Sequence, residues 1–345
     1  MKKFKLPFLA GAVAMTAAFG VNTVSAADFK IKLHHQTLPK APVNVFLLTP
    51  LQKALEKDSG GRISAQVYHS MSLGGSPPQV FNQIKDGITE IGWTLPGYSG
   101  GRFPLTSVFD LPFMVSTAEA TTQAFQAFAD KHLQKEYKDV HPLLFHTAAR
   151  FKIHMVKNQI KSISDFNGLK VRATNRGMGE LLKSVGATPV FMPVPKVPQA
   201  LSKGVVAGAV LPWEIVIPFK IQEIAPNHTL VKGPRGLIAA TFFLGMNKKF
   251  YDGLPGDLKK VVDKNTGMNI AAKVGKSYDK IENVFKAKAV KRGNKFYSLP
   301  AGDVATIKTS ALKIQQAWVA DVTKKGHNGK ALLAEANALI DKYSK

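Results

Sequence analysis

Residues Asp165–Glu214 read DFNGLKVRATNRGMGELLKSVGATPVFMPVPKVPQALSKGVVAGAVLPWE, and the fold is decided here. In LKVR, Leu169 and Val171 alternate with Lys170 and Arg172, which is the period of a short strand. Thr174 and Asn175 offer side chains that cap a helix, and the spacing predicts a helix over Gly177–Val185 that stops at Gly186. Arg172 then stands at the carboxyl end of a strand, just before a helix N-terminus. Open α/β sheets bind ligands at that place. A guanidinium is also the side chain whose planar fork matches a carboxylate with two parallel hydrogen bonds. By spacing alone, an arginine in an exposed ion pair fits the same residues.

The flanking chain carries the same alternation of elements. Upstream, Asp28–His35 (DFKIKLHH) reads as a strand, Ala41–Lys57 as a helix closed by Gly60 and Gly61, and Arg62–His69 as a second strand. That order is a parallel βαβ unit. A helix over Pro78–Asp86, a strand over Ile88–Thr94, a helix over Thr117–Tyr137 and a strand over Pro142–Thr147 follow. Downstream, Gly236–Met246 (GLIAATFFLGM) reads as a core strand. A long helical run is expected from Leu254 to about Lys291, weakened but not broken by Gly267 and Gly275. Two more helices end the chain, over Val304–Lys325 and Lys330–Tyr343. No repeat and no low-complexity linker joins the parts, so two lobes woven by chain crossings are expected.

The first residues suggest export. Lys2, Lys3 and Lys5 precede an apolar run from Leu6 to Val21 and then Val24-Ser25-Ala26. This is the layout of a signal peptide cut after Ala26, with the mature protein outside the cytoplasm and soluble. The run is shorter than ~20 residues and broken by Pro7, Gly11 and Thr16, which argues against a membrane anchor. With no cysteine, the 345-residue chain depends on its core alone. The net charge is +24, or +21 once the three leader lysines are gone. The lysines are scattered along helical segments rather than clustered with aromatics. A solvated surface that steers anions is expected, and nucleic-acid binding is not.

The central stretch resembles the solute-binding proteins of tripartite ATP-independent periplasmic (TRAP) transporters, the DctP-like family. Its GLKxR strand, GAxPxxMP segment and ALxxGVVDGxxxP segment correspond to Gly168–Arg172, Gly186–Pro193 and Ala200–Pro212. Two departures are visible. Ala207 stands where the family usually has Asp, and Leu211 and Trp213 occupy a segment that is Glu-Asn-Pro in sialic-acid binders. The resemblance implies a two-lobed α/β periplasmic binding protein of class II-like fold, with an interlobe cleft and a long helix spanning both lobes. It implies that Arg172 clamps a substrate carboxylate. It also implies that Arg150, 22 residues upstream, supplies a second charge or a hinge contact where the chain changes lobe. His35 becomes a candidate donor from the loop after the first strand. Trp93, Tyr98, Leu211 and Trp213 are expected to form an apolar and aromatic wall, which favours a compact or aromatic monocarboxylate over a sugar acid. The implied partners are a small organic acid anion and the small and large TRAP membrane subunits, with the receptor itself a monomer in the periplasm. The lobes are placed at 27–147 plus 237–275 and at 148–236 plus 276–345.

A second class of function also fits one motif. Gly97-Tyr98-Ser99-Gly100-Gly101 satisfies the G-x-S-x-G pattern of a hydrolase, with Asp110 and His146 as partners in chain order. That motif needs a helix directly after the serine, and Gly100, Gly101 and Pro104 oppose one. His146 and His154 lack carboxylate or cysteine neighbours at metal-ligand spacing. No phosphate-cradling loop and no dinucleotide fingerprint occurs. A binding protein without metal or cofactor is therefore expected.

Overall fold

In the computed structural model, residues 27–345 other than 158 are described, together with residues 1 and 3. The expected leader and its cleavage site after Ala26 lie outside the described residues. The strands are β1 (Phe29–His35), β2 (Ile63–Tyr68), β3 (Ile91–Thr94), β4 (Val140–Thr147), β5 (Lys152–Met155), β6 (Lys170–Ala173), β7 (Thr188–Phe191), β8 (Gly208–Leu211), β9 (Asn227–Leu230), β10 (Thr241–Asn247) and β11 (Lys295–Ser298). They form two sheets, ordered β2-β1-β3-β10-β4 and β11-β9-β5-β8-β6-β7. Each sheet is the centre of one lobe. In the first, β1 runs parallel to β2 and β3, while β10 is antiparallel to β3 and β4. In the second, β6 is parallel to both β7 and β8.

Local chemistry explains the elements. In β1, Ile31 and Leu33 face the core while Lys30 and Lys32 reach outward; the alternation ends at His34 and His35, both buried. These histidines lie at the strand's carboxyl end. The helix Ala118–His132 begins at Thr117, whose side chain accepts from the Ala120 N–H at 3.0 Å, and buries Phe125 and Phe128. The helix Arg176–Ser184 starts as the sequence predicts, with the Asn175 side chain accepting from the Met178 N–H at 2.9 Å.

The chain crosses between lobes in two segments that lie side by side. Ala148 N–H donates to Ala240 O at 3.2 Å and Phe151 N–H to Ile238 O at 2.9 Å. A third connection is the helix Met268–Lys291, which packs on Ala118–His132 in one lobe and on Trp213–Val216 in the other. The expected single helical run from Leu254 is in fact two helices, Gly256–Lys264 and Met268–Lys291. They separate at Gly267, whose φ of +60° takes it out of the helix, and whose N–H bonds Leu143 O. Gly275 stays helical, because the helix approaches residue 118 so closely that a Cβ there would lie 2.5 Å from Ala118 O.

The tail divides differently from the expected boundary. Helix Ala301–Lys324 packs on Arg176–Ser184 in the second lobe, but helix Gly329–Tyr343 packs on Ala118–His132 in the first. Leu332, Ala336 and Ile340 share a buried cluster with Phe125 and Phe128. Burial of that apolar face, invisible to a linear reading, decides where the last helix goes.

Candidate ligand-binding site

A cavity of about 870 Å³ opens between the lobes. Its first-lobe wall is the segment from Pro96 to Leu111. Its second-lobe wall is Thr174–Gly177 and Phe191–Pro193, and Trp318 closes one side. The walls approach closely: a Cβ on Gly177 would lie 2.4 Å from Asp110 O. Tyr98 ties them, its hydroxyl accepting from the Val194 N–H at 3.1 Å across the lobes.

Arg172 lies directly behind this cavity, 1% exposed, on β6. It does not line the cavity; its hydrogen-bond partners Thr174 and Met192 do. Nε and Nη2 both donate to Met192 O, at 3.1 and 3.0 Å, and Nη1 donates to Thr174 Oγ1 at 2.5 Å. Val210 O is a weak third acceptor at 3.5 Å. Among the described residues no carboxylate pairs with it. Burial makes the guanidinium harder to keep protonated, and the nearby Tyr98 hydroxyl opposes that shift. Arginine stays charged even so. Removing an ion from water costs several kcal/mol after relaxation, and neutral oxygens offset this only in part. The arrangement is a buried cation whose natural complement is an anion.

The remaining residues singled out from the sequence are placed as follows. Arg150 is held by three carbonyls, of Ser116 (2.8 Å), Gly233 (2.8 Å) and Pro234 (2.5 Å). It pins the crossing segment to a first-lobe loop and to the start of the return crossing, and it does not line the cavity. His35 is fully buried, with Nδ1 on Thr37 Oγ1 and Nε2 on His69 Nδ1, both at 2.9 Å. With both nitrogens engaged and burial pushing its pKa down to about 3, it has no free donor for a ligand. Trp93 packs tilted against Phe242 with centroids 4.7 Å apart and its indole N–H donates to His146 Nε2 at 2.8 Å, so it is core. Leu211 is 2% exposed in the second-lobe core, its carbonyl bonded to His154. Trp213 is 1% exposed and packs edge-on against His154 and His228. Of the expected aromatic wall, Tyr98 alone lines the large cavity.

The family model for bacterial extracellular solute-binding proteins, family 7, matches residues 34–321. This chain belongs to that family. Family-7 proteins are the receptors of TRAP transporters; they bind small organic acids and work with the TRAP membrane components. A marine metagenome TRAP solute-binding protein specific for aromatic acid ligands, solved with 3-hydroxybenzoate, is 38% identical with a TM-score of 0.90, over 92% of this chain and 100% of that one. A TRAP solute-binding protein from Rhodoferax ferrireducens, solved with copurified benzoate, is 38% identical with a TM-score of 0.88, over 91% and 98%. The C4-dicarboxylate-binding periplasmic protein DctP of Rhodobacter capsulatus is 27% identical over 259 residues, 74% of this chain and 76% of that one.

The geometry around Ser99 does not support the hydrolase reading. Ser99 ends a short 3₁₀ turn, Pro96–Ser99, and Gly100 follows at φ +42°, so no helix starts behind the serine. Asp110 accepts from the N–H and hydroxyl of Thr241, at 2.8 and 3.2 Å, and His146 accepts from Trp93. No hydrogen bond joins either to Ser99 among the described residues.

Sequence reasoning missed a buried polar group beside Trp213. Glu214 is 2% exposed, and its backbone N–H donates to Glu282 Oε1 at 3.0 Å. Glu282 in turn pairs with Lys152. Burial and the Glu282 charge push the Glu214 carboxyl well above the usual carboxylate range. An acid inside the apolar run GAVLPWEIVIPF was a visible signal. Glu282 and its partner Lys152 lie 130 residues apart in sequence, and no local pattern joins them.

Proposed function

We propose that this receptor captures a small, compact or aromatic monocarboxylate between its lobes and hands it to a TRAP membrane pair. The single observation that carries this reading is Arg172: a guanidinium buried at the interlobe seam, with only neutral oxygens around it. A ligand carboxylate entering on the Nη edge replaces the Thr174 hydroxyl with a charge-assisted bond, which contributes roughly 1.5–3 kcal/mol net. That does not give tight binding alone, so closure of the lobes over the carbon skeleton supplies the rest. The relatives solved with benzoate and 3-hydroxybenzoate support an aromatic acid, as does the apolar wall around Tyr98 and Phe191.

The moving bodies in this reading are 27–147 plus 237–275 with the final helix, and 148–236 plus most of 276–328. The paired crossings at Ala148–Phe151 and Ile238–Ala240 act as the hinge, and Arg150 is its fastening. The receptor works as a monomer in the periplasm and catalyses nothing. A thermal-shift screen against organic acids tests the proposal. Benzoate is expected to raise the melting temperature and benzamide, its uncharged analogue, is not. Equal stabilisation by both would remove the carboxylate clamp.

A further inference from the structure

Two side chains near the bridging helix are polar, buried and unsatisfied. Trp213 Nε1 and the Tyr278 hydroxyl have no hydrogen-bond partner among the described residues, and Tyr278 is fully enclosed. Beside them lies Glu214, 2% exposed and without an ion pair among the described residues. Tyr278 and Glu282 stand at i and i+4 of helix Met268–Lys291, so they share one face. That face is turned to Trp213–Glu214, because Glu282 accepts the Glu214 N–H. On its other side Tyr278 meets first-lobe residues, its ring centroid 5.5 Å from His146 and 6.3 Å from Phe242. The bridging helix therefore carries Tyr278 against the first lobe and Glu282 against the Trp213–Glu214 segment of the second. Buried polar atoms left unpaired are costly, and they mark places that a ligand completes.

The charge of the group sets what it accepts. Lys152 is the cation paired with Glu282 among the described residues. Glu214 is a second acid beside Glu282, without a cation of its own among the described residues. A ligand carboxylate would be a third, facing two acids and one lysine, whereas a neutral oxygen meets two donors, the Trp213 N–H and the Tyr278 O–H. A protonated Glu214 adds a third donor.

We propose that Glu214, Trp213 and Tyr278 form a second, uncharged end of the ligand site, which receives a hydroxyl or carbonyl oxygen of the bound acid and rejects a second carboxylate. This rests on the carboxylate reading of Arg172 and names the substrate class further: hydroxy- or oxo-substituted monocarboxylates, not dicarboxylates. Arg172 anchors the acid; these three select its other end.

Titration calorimetry with benzoate, 3-hydroxybenzoate and isophthalate tests it. The wild-type protein is expected to bind 3-hydroxybenzoate about tenfold more tightly than benzoate, the worth of one neutral hydrogen bond in a dry site. Isophthalate should bind more weakly than either. Tyr278→Phe and Glu214→Met should bring the ratio of the two monocarboxylate affinities close to one, and Glu214→Gln, which keeps a donor, should restore it. A ratio that persists in both Tyr278→Phe and Glu214→Met, no preference in the wild type, or isophthalate binding as well as 3-hydroxybenzoate would overturn the selective end alone. Absence of benzoate binding in the wild type would overturn the Arg172 reading and this one with it. Tyr278→Phe and the wild-type ligand series decide the matter even where Glu214→Met does not fold.

Discussion

At the scale of single residues, this protein keeps charges where stability alone would not place them. Arg172 is the clearest case, buried among carbonyls without an anion. Replacing a buried ion by an apolar side chain of similar length is often neutral or stabilising. Arg172→Met is therefore expected to melt no lower than the wild type without ligand. It should also lose at least about thirtyfold in benzoate affinity, the cost of truncating one partner of a buried charge pair. Calorimetry of both states checks this, and a variant that keeps full affinity would take Arg172 out of the site. Asp110, on the cavity wall, carries a pH signature. Burial pushes its pKa up to about 7, against the Thr241 bonds that favour the ionised form. The folded protein then holds this proton where the unfolded chain has released it. The contribution to stability is full below the unfolded pKa near 4 and is lost as pH rises toward 7. Roughly three units at about 1.4 kcal/mol each put the loss near 4 kcal/mol. Asp110→Asn should remove that fall, so urea unfolding from pH 4 to 7 should show the wild type losing stability relative to the variant.

At the scale of elements, the site depends on how closely two segments can approach. The start of helix Arg176–Ser184 meets the turn that ends at Asp110, and Gly177 leaves no side chain between them. Alanine is a better helix former than glycine, by about 1 kcal/mol, so Gly177→Ala should not weaken the helix itself. Its methyl would press on Asp110 O and hold the lobes apart, an overpacking of 1–3 kcal/mol charged to the closed form. The expected result is an unchanged ligand-free melting point with ligand affinity down about tenfold; affinity equal to the wild type would show that the seam does not close on binding. The element that carries Arg172 was legible because its signals are local: LKVR alternates, Asn175 caps, Gly186 stops. The break at Gly267 was not, because the sequence window around it is helical and the competing bond comes from Leu143, on another strand.

At the scale of the whole molecule, two sheets are joined by paired crossings and one long helix, so a ligand between them can act on their relative position without unfolding either. The positive charge, +21 beyond the leader, is spread over the exterior. It should raise the encounter rate of anions and be screened by salt, since the Debye length falls from about 10 Å at 0.1 M to about 3 Å at 1 M. Stopped-flow measurements should show benzoate association slowing several-fold over that range while dissociation changes little. A salt-independent association rate would leave the surface charge without a part in capture.

The sequence alone determined the alternation of strands and helices, the two lobes, and the strand-end position of Arg172. These follow from periodicity and capping, which act between neighbours. Tertiary structure decided which candidates meet. It buried His35, Trp93 and Leu211 in cores of their own, turned Arg150 into a fastening for the crossings, and sent the last helix back to the first lobe. It also brought Glu214, Tyr278, Glu282 and Lys152 together from segments up to 130 residues apart. The reason is physical: pairing between distant charges and the packing of apolar faces depend on positions in space, and no local pattern in the chain records them.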